Sequence, residues 1–234
     1  MLAPNLPILL LDIDGVIALE VTNAAEGKTE ILSLHKNLGE MIAVARDRTF
    51  VVTHRSRREA WQILEACKVS ADDFNQLVAA EDILRQAMWS GRIGQAVRRG
   101  LQKSLVLPMV AELSGCSRDM ICLLDDRQHN LDAMLESGAG LAMKAPSAVC
   151  ASGQQLTTFE MESVFDSLRR WFAERHTAPL VDVPSIERPI ADWQKTGLST
   201  EHLQRHAFNR ARRLVYKART FAFGRKSVKC QQPN

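Results

Sequence analysis

Asp12 and Asp14 lie two residues apart in the run Leu9-Leu10-Leu11-Asp12-Ile13-Asp14-Gly15-Val16. Just past a buried strand, two such carboxylates can face one pocket, with Gly15 letting the chain turn sharply away. One can attack phosphorus while the other handles a proton. Calcium loops and ordinary turns also contain Asp-x-Asp-Gly, so the motif gains meaning only from what accompanies it. Thr53 closes the apolar run Phe50-Val51-Val52. Its hydroxyl can donate to a phosphoryl oxygen, or else Thr53 or Ser56 caps a helix starting near Arg57. Lys103 offers a point charge for a phosphoryl group, or is a solvated surface lysine. Asp125 and Asp126 follow the run Ile121-Cys122-Leu123-Leu124. Adjacent acids after a buried strand are costly unless a cation or donors compensate them, and magnesium held by carboxylates and waters is the natural compensator.

The elements that must place these residues can be read from periodicity. Strands are predicted at Ile8–Leu11, Thr49–Val52, Gln76–Ala80, Met120–Leu124 and Gly140–Met143. Helices are predicted over Leu32 to Ala45, Arg57 to Cys67, Ile93 to Leu113, Leu131–Ser137 and Glu160–Glu174. Short apolar strands alternating with helices imply right-handed crossovers and an α/β fold with a doubly wound parallel sheet. Ligands bind such sheets beyond the carboxyl ends of the strands, where Asp12, Thr53 and Asp125 are expected.

Together these residues resemble the four motifs of the haloacid dehalogenase (HAD) superfamily of phosphatases, across roughly residues 6–145. The resemblance implies that Asp12 is a nucleophile forming an aspartyl-phosphate. It implies Asp14 as the acid for the leaving group and then the base for water, with Thr53 and Lys103 holding the phosphoryl oxygens. It implies Mg2+ bound by Asp12, the Asp14 carbonyl and Asp125, with Asp126 sharing that task or orienting the shell. Asn130 stands where many members carry a further acid, which leaves its role through water or absent. Cap domains in this superfamily insert after the first motif or between the second and third. About forty residues separate Asp12 from Thr53 and about fifty separate Thr53 from Lys103, which one βα unit each largely fills. A capless or minimally capped core is expected, open to a large substrate; a small metabolite fits if an oligomer partner or the C-terminal segment covers the site. Asp125-Asp126-Arg127 also resembles the acidic motif of polynucleotide phosphatases, with Arg127 contacting a substrate phosphate. His54, Arg55, Arg57 and Arg58 form either a substrate-binding basic rim or a polar helix start.

Charge divides the chain. Nine of its 30 basic residues lie in 202–234 with no Asp or Glu, leaving 21 basic against 27 acidic residues before them. Prolines 179, 184 and 189 mark 177–198 as a linker between a core at 1–176 and a basic helix and tail at 199–234. With Tyr216, Phe221 and Phe223 interleaved, the appendage suits nucleic acid, docking on the acidic body, or an anionic membrane. Five scattered cysteines without a C-x-x-C pair argue against a disulfide framework or structural zinc and for a cytoplasmic protein. Asp12 ends the opening apolar run too early for a signal peptide or membrane span. The expected activity is magnesium-dependent hydrolysis of a phosphate monoester, with a macromolecular substrate among those an open site admits. A nucleic-acid-end (3′-phosphate) phosphatase and a non-catalytic nucleic-acid-binding or regulatory module are the alternatives.

Overall fold

The computed structural model describes residues 7–23, 28–146, 155–174, 179–189 and 194–199. The chain enters through β1 (Ile8–Leu11) and then makes an antiparallel hairpin of β2 (Ala18–Asn23) and β3 (Lys28–Ser33). Next come α1 (Leu38–Ala43), β4 (Thr49–Val52), α2 (Arg57–Ala66), β5 (Gln76–Val78), α3 (Ala80–Trp89) and α4 (Ile93–Arg99). A 3-10 turn at Lys103–Val106 leads into α5 (Leu107–Ser114), then β6 (Ile121–Asp125), α6 (Gln128–Glu136) and β7 (Leu141–Lys144). The last elements are β8 (Gln155–Thr158), α7 (Met161–Glu174), β9 (Leu180–Asp182), β10 (Ile186–Pro189) and β11 (Gln194–Ser199).

The principal sheet has the order β5-β4-β1-β6-β7-β9, and every pair in it is parallel. Its inner strands β1, β4 and β6 are buried along their whole length and predominantly apolar because both faces are covered. Leu9, Leu11, Val51, Cys122 and Leu124 point to one layer, with Ile42, Ile63 and Val164 from α1, α2 and α7. Ile8, Leu10, Phe50, Val52 and Leu123 point to the other, with Ile83, Val110 and Met134 from α3, α5 and α6. The alternation along each strand thus feeds two separate cores.

Several predicted elements differ in the structure. The helix expected over Leu32 to Ala45 starts only at Leu38, after Asn37 in a left-handed conformation (φ 58°), because residues 28–33 pair with β2 instead. The strand expected to reach Ala80 stops at Val78, and α3 follows, its first turn closed by the Asp82 carboxylate accepting from the Ala79 N–H at 2.9 Å. The long helical region from Ile93 breaks after Arg99 at Gly100 (φ 83°) and resumes at Leu107, where Pro108 occupies the first turn. The stretch 177–198, expected to be a linker, contributes strands. β9 forms the outer strand of the principal sheet, β10 pairs with β8, and β11 lies against β3. Edge strands tolerate the prolines that suggested a linker. The basic segment from 200 onward lies outside the described residues.

The hairpin occupies the interval after Asp14, and β11 extends it to a three-stranded sheet in the order β11-β3-β2. Thr196 Oγ1 donates to the Ile31 carbonyl at 2.5 Å, adding to the ladder. No inserted domain separates Thr53 from Lys103; α2, β5, α3 and α4 fill that interval. The core is minimally capped by this small sheet. Among the described residues, no helix is long and apolar enough to cross a membrane.

His35, between the hairpin and α1, joins the turn after β1 to the segment before α7. Its Nε2–H donates to the Val16 carbonyl at 2.9 Å, and its ring meets Phe159 edge-on at a centroid distance of 4.8 Å. Burial pushes its pKa down to about 4, against the opposing pull of the Val16 hydrogen bond. The unfolded chain takes up a proton on this ring near pH 6.5, whereas the folded protein resists until about pH 4. The stability this neutral imidazole supports is therefore complete above pH 6.5 and drains away as pH falls toward 4. From pH 7 to 5 the loss from this site is expected to be about 2 kcal/mol. Urea denaturation at both pH values, on wild type and His35→Gln, checks it: the substitution should flatten that part of the pH dependence.

Candidate active site

β4, β1 and β6 are neighbours, so their carboxyl ends stand side by side at the same level of the sheet. Leu11 is in register with both Val51 and Leu124, and the Asp12 N–H donates to the Leu124 carbonyl at 3.1 Å. Asp12, Thr53 and Asp125 consequently share one edge. The chain turns away from Asp12 through Gly15 (φ 74°), whose N–H donates to the Ala18 carbonyl at 2.8 Å. A Cβ at Gly15 would lie 2.7 Å from the Asp126 carboxylate, so this position needs glycine for both its backbone and its neighbour.

Lys103 is the electrostatic centre. Its ammonium lies 2.6 Å from Asp12 Oδ1 and 2.7 Å from Asp125 Oδ2, and only 1% of its side chain is exposed. Burial opposes the charge, but Asp12 and Asp125 outweigh it and raise the lysine's pKa. Asp12 Oδ1 also accepts the Ile13 N–H at 2.7 Å. Asp125 accepts from the Arg127 N–H at 2.8 Å and from Asn130 Nδ2 at 2.9 and 3.1 Å on its two oxygens. Asn130 is thus a buried clamp that orients Asp125, which the sequence leaves open.

Even with Lys103 beside it, Asp12 is pushed up to about 7. Burial is the main cause, and Asp125 and Asp14 add to it while the lysine opposes them. Asp126 is raised as well, by burial and by Asp125. Its Oδ1 is buried without a hydrogen-bond partner, Arg127 Nε being 4.0 Å away. Asp12, Asp125 and Asp126 each offer a carboxylate oxygen within 4.8 Å of the others. One ammonium does not neutralise these acids, and an orphaned oxygen faces inward among them. Hard oxygen donors in excess of their counter-charge fit a divalent cation such as Mg2+.

The second-motif segment resolves differently from its sequence. Ser56, not Thr53, caps α2: its Oγ and the Glu59 side chain form a reciprocal capping box. Thr53 is fully buried, and its Oγ1 accepts the Arg55 N–H at 3.2 Å, so the hydroxyl proton remains available for another acceptor. The basic rim expected here does not form as such. Arg57 pairs with Asp82, and His54 is partly buried with its Nε2 unpartnered and its pKa pushed down to about 4, chiefly by burial and then by Lys103. Arg55 reaches the site, but carboxylates of the chain itself occupy its guanidinium. It grips Asp14 with Nε at 3.0 Å from both oxygens and Nη2 at 2.5 Å, and Nη2 also lies 2.5 Å from Glu20 Oε1 on β2. Burial works against the arginine's charge, but the bonds to Asp14 and Glu20 raise its pKa above the ordinary value. Arg58 is exposed, and Arg127, with 58% of its side chain exposed, lies beside Asp126.

The parallel sheet, with helices on both faces, brings the residues singled out in the sequence together at its carboxyl edge. The fold is a doubly wound α/β fold around a six-stranded parallel sheet. The chain matches no protein-family profile and no curated protein. Among solved structures it is similar to a HAD family enzyme from Bacteroides thetaiotaomicron, a magnesium complex, at 10% identity over 64% of this chain and 98% of that one (TM-score 0.44). It is also similar to a HAD family hydrolase from Streptomyces avermitilis at 14% identity over 61% and 72% (TM-score 0.39). A third is the 3-deoxy-D-manno-octulosonate 8-phosphate phosphatase from Moraxella catarrhalis, in complex with magnesium and phosphate ions and the sugar acid, at 12% identity over 63% and 72% (TM-score 0.35).

Glu20 had no part in the sequence argument. The only signal available was a carboxylate on a short strand six residues beyond Asp14, whose register no local pattern fixes.

Proposed function

We propose that this chain is a magnesium-dependent phosphate-monoester hydrolase that works through a covalent aspartyl-phosphate on Asp12. The observation that carries the reading is the buried Lys103 ammonium bridging Asp12 and Asp125 while Asp126 keeps an unpartnered oxygen beside them. Such a cluster is too negative to be a structural ion pair and is arranged to gather a dianionic ester and its counter-ion.

Asp12, Asp125 and Asp126 side chains and the Asp14 carbonyl would hold the metal, which when bound supplies positive charge to the phosphoryl oxygens. Lys103 and the Ile13 N–H fix Asp12 Oδ1, which leaves the attack on phosphorus to Oδ2. A new Oδ2–P bond forms as the P–O bond to the leaving group breaks. The leaving oxygen takes its proton from Asp14, and Thr53 Oγ1 and Lys103 donate to the phosphoryl oxygens. Asp14, now a carboxylate, takes a proton from water as that water's oxygen attacks phosphorus. Phosphate leaves and Asp12 is restored. Arg127, whose exposed side chain lies beside Asp126, is the group we assign to a phosphate of the substrate.

Purified protein should hydrolyse p-nitrophenyl phosphate with added magnesium and lose that turnover in excess EDTA, regaining it when magnesium is returned. Magnesium at a hundred times its dissociation constant should also stabilise the fold by about 2.7 kcal/mol in urea titrations. Turnover indifferent to EDTA would remove the metal from the proposal.

A further inference from the structure

We propose that Glu20 is a positioning residue: from the hairpin it holds Arg55, and through Arg55 it sets where the Asp14 carboxylate stands. The inference rests on the hydrolase reading above and adds to it a residue outside the four motifs.

Asp14 lies in the turn after β1, where its backbone makes an isolated bridge to Ala18. Its side chain, 34% exposed, is therefore placed by its partner more than by packing. That partner is Arg55, bidentate on Asp14 and only 17% exposed. A planar guanidinium fixes a carboxylate in both distance and plane. Arg55 follows β4 by three residues and needs a second anchor to hold that plane, and Glu20 supplies it through Nη2. Glu20 is itself well fixed, since it pairs with Ile31 in β3, and β3 is bonded on its far side to β11. The chain of contacts runs from β11 through the hairpin to the residue that exchanges the proton. Arg55 also ties the cap to the β4 end, because its own N–H donates to Thr53 Oγ1.

When Asp14 turns toward the leaving oxygen it must give up part of its hold on Arg55. With Glu20 in place the guanidinium stays anchored and Asp14 returns to one position. Without Glu20, Arg55 is free to follow Asp14, and the acid is misplaced for the leaving group. The cost of a misplaced acid grows with how badly the leaving group needs a proton. The p-nitrophenolate ion leaves readily unprotonated, whereas phenolate does not.

The test measures kcat and KM of wild type and Glu20→Gln on p-nitrophenyl phosphate and phenyl phosphate with magnesium. Glu20→Gln should lower kcat on phenyl phosphate about tenfold and on p-nitrophenyl phosphate about twofold at most, with KM little changed. In the Arg55→Gln background the same Glu20 substitution should have no further effect, since nothing remains for it to position. Equal losses on both esters, no loss on either, or full additivity with Arg55→Gln would each overturn the assignment while wild-type turnover leaves the hydrolase reading standing. Absence of wild-type turnover on both esters would overturn the two together.

Discussion

Asp12→Asn is expected to abolish turnover, by at least about 10⁴-fold in kcat, while leaving the protein folded. The amide keeps the shape of the carboxylate. Its oxygen can still accept from Lys103 and the Ile13 N–H, which approach Asp12 Oδ1 at 2.6 and 2.7 Å. What it lacks is a nucleophilic oxygen, and the carboxylate of Asp125 that shares Lys103 with it is saturated by Lys103, Asn130 and the Arg127 N–H. Burial already disfavours the charge on Asp12, holding it near 7 rather than the 3.8 of a free carboxyl. Ionising it therefore weakens the metal-free fold progressively as pH rises from about 4 to 7, and the neutral amide escapes that cost. The variant should also lose much of the stabilisation that magnesium confers on wild type, because one of the carboxylates offering an oxygen to the ion is gone. Single-turnover assays with urea titrations, each with and without magnesium, separate the outcomes. Residual turnover above about one per cent of wild type would move the nucleophile elsewhere.

The parts of this site that were legible in the sequence share one cause. β1, β4 and β6 are buried on both faces, so each is an unbroken apolar run, and the first polar residue after each run marks the sheet edge. Asp12, Thr53 and Asp125 could be placed together from that alone. Lys103 was legible only as a motif, since its 3-10 turn and burial depend on α3 and α6 packing around it. The hairpin was not legible. Residues 28–33 become a strand because β2 and β11 flank them, and β11 comes from a stretch whose prolines suggested a linker. The Thr196 contact with Ile31 spans 165 residues, beyond any local pattern. The pairing of Arg55 lay in the same gap. As a cation after the second motif it looked free for substrate, and only the hairpin brings the Glu20 carboxylate that claims it.

Lys103→Met should be the most destabilising single change in the site, at about 3–5 kcal/mol, with activity lost as well. Methionine matches the length of the lysine stem, so the cost isolates the charge. Removing a buried ammonium leaves Asp12 and Asp125, both almost fully buried, facing each other without the group that now bonds to each. Asp125 retains its donors from Asn130 and Arg127, so the proton that relieves the repulsion goes to Asp12, whose burial already favours the neutral form. A protonated Asp12 is no nucleophile, which joins the stability effect to the catalytic one. The same reasoning fixes how the two substitutions combine. Once Asp12→Asn has neutralised one carboxylate, Lys103 has less repulsion to relieve, so the double variant should be more stable than additivity predicts by about 1–3 kcal/mol. Magnesium should recover part of the lost stability in Lys103→Met, because the ion draws on the same carboxylates. Urea midpoints for the four proteins of this cycle, taken at one pH with and without magnesium, decide it. A Lys103→Met protein as stable as wild type, with strictly additive effects, would mean that the lysine does not compensate these acids, and the electrostatic basis of the site would fall.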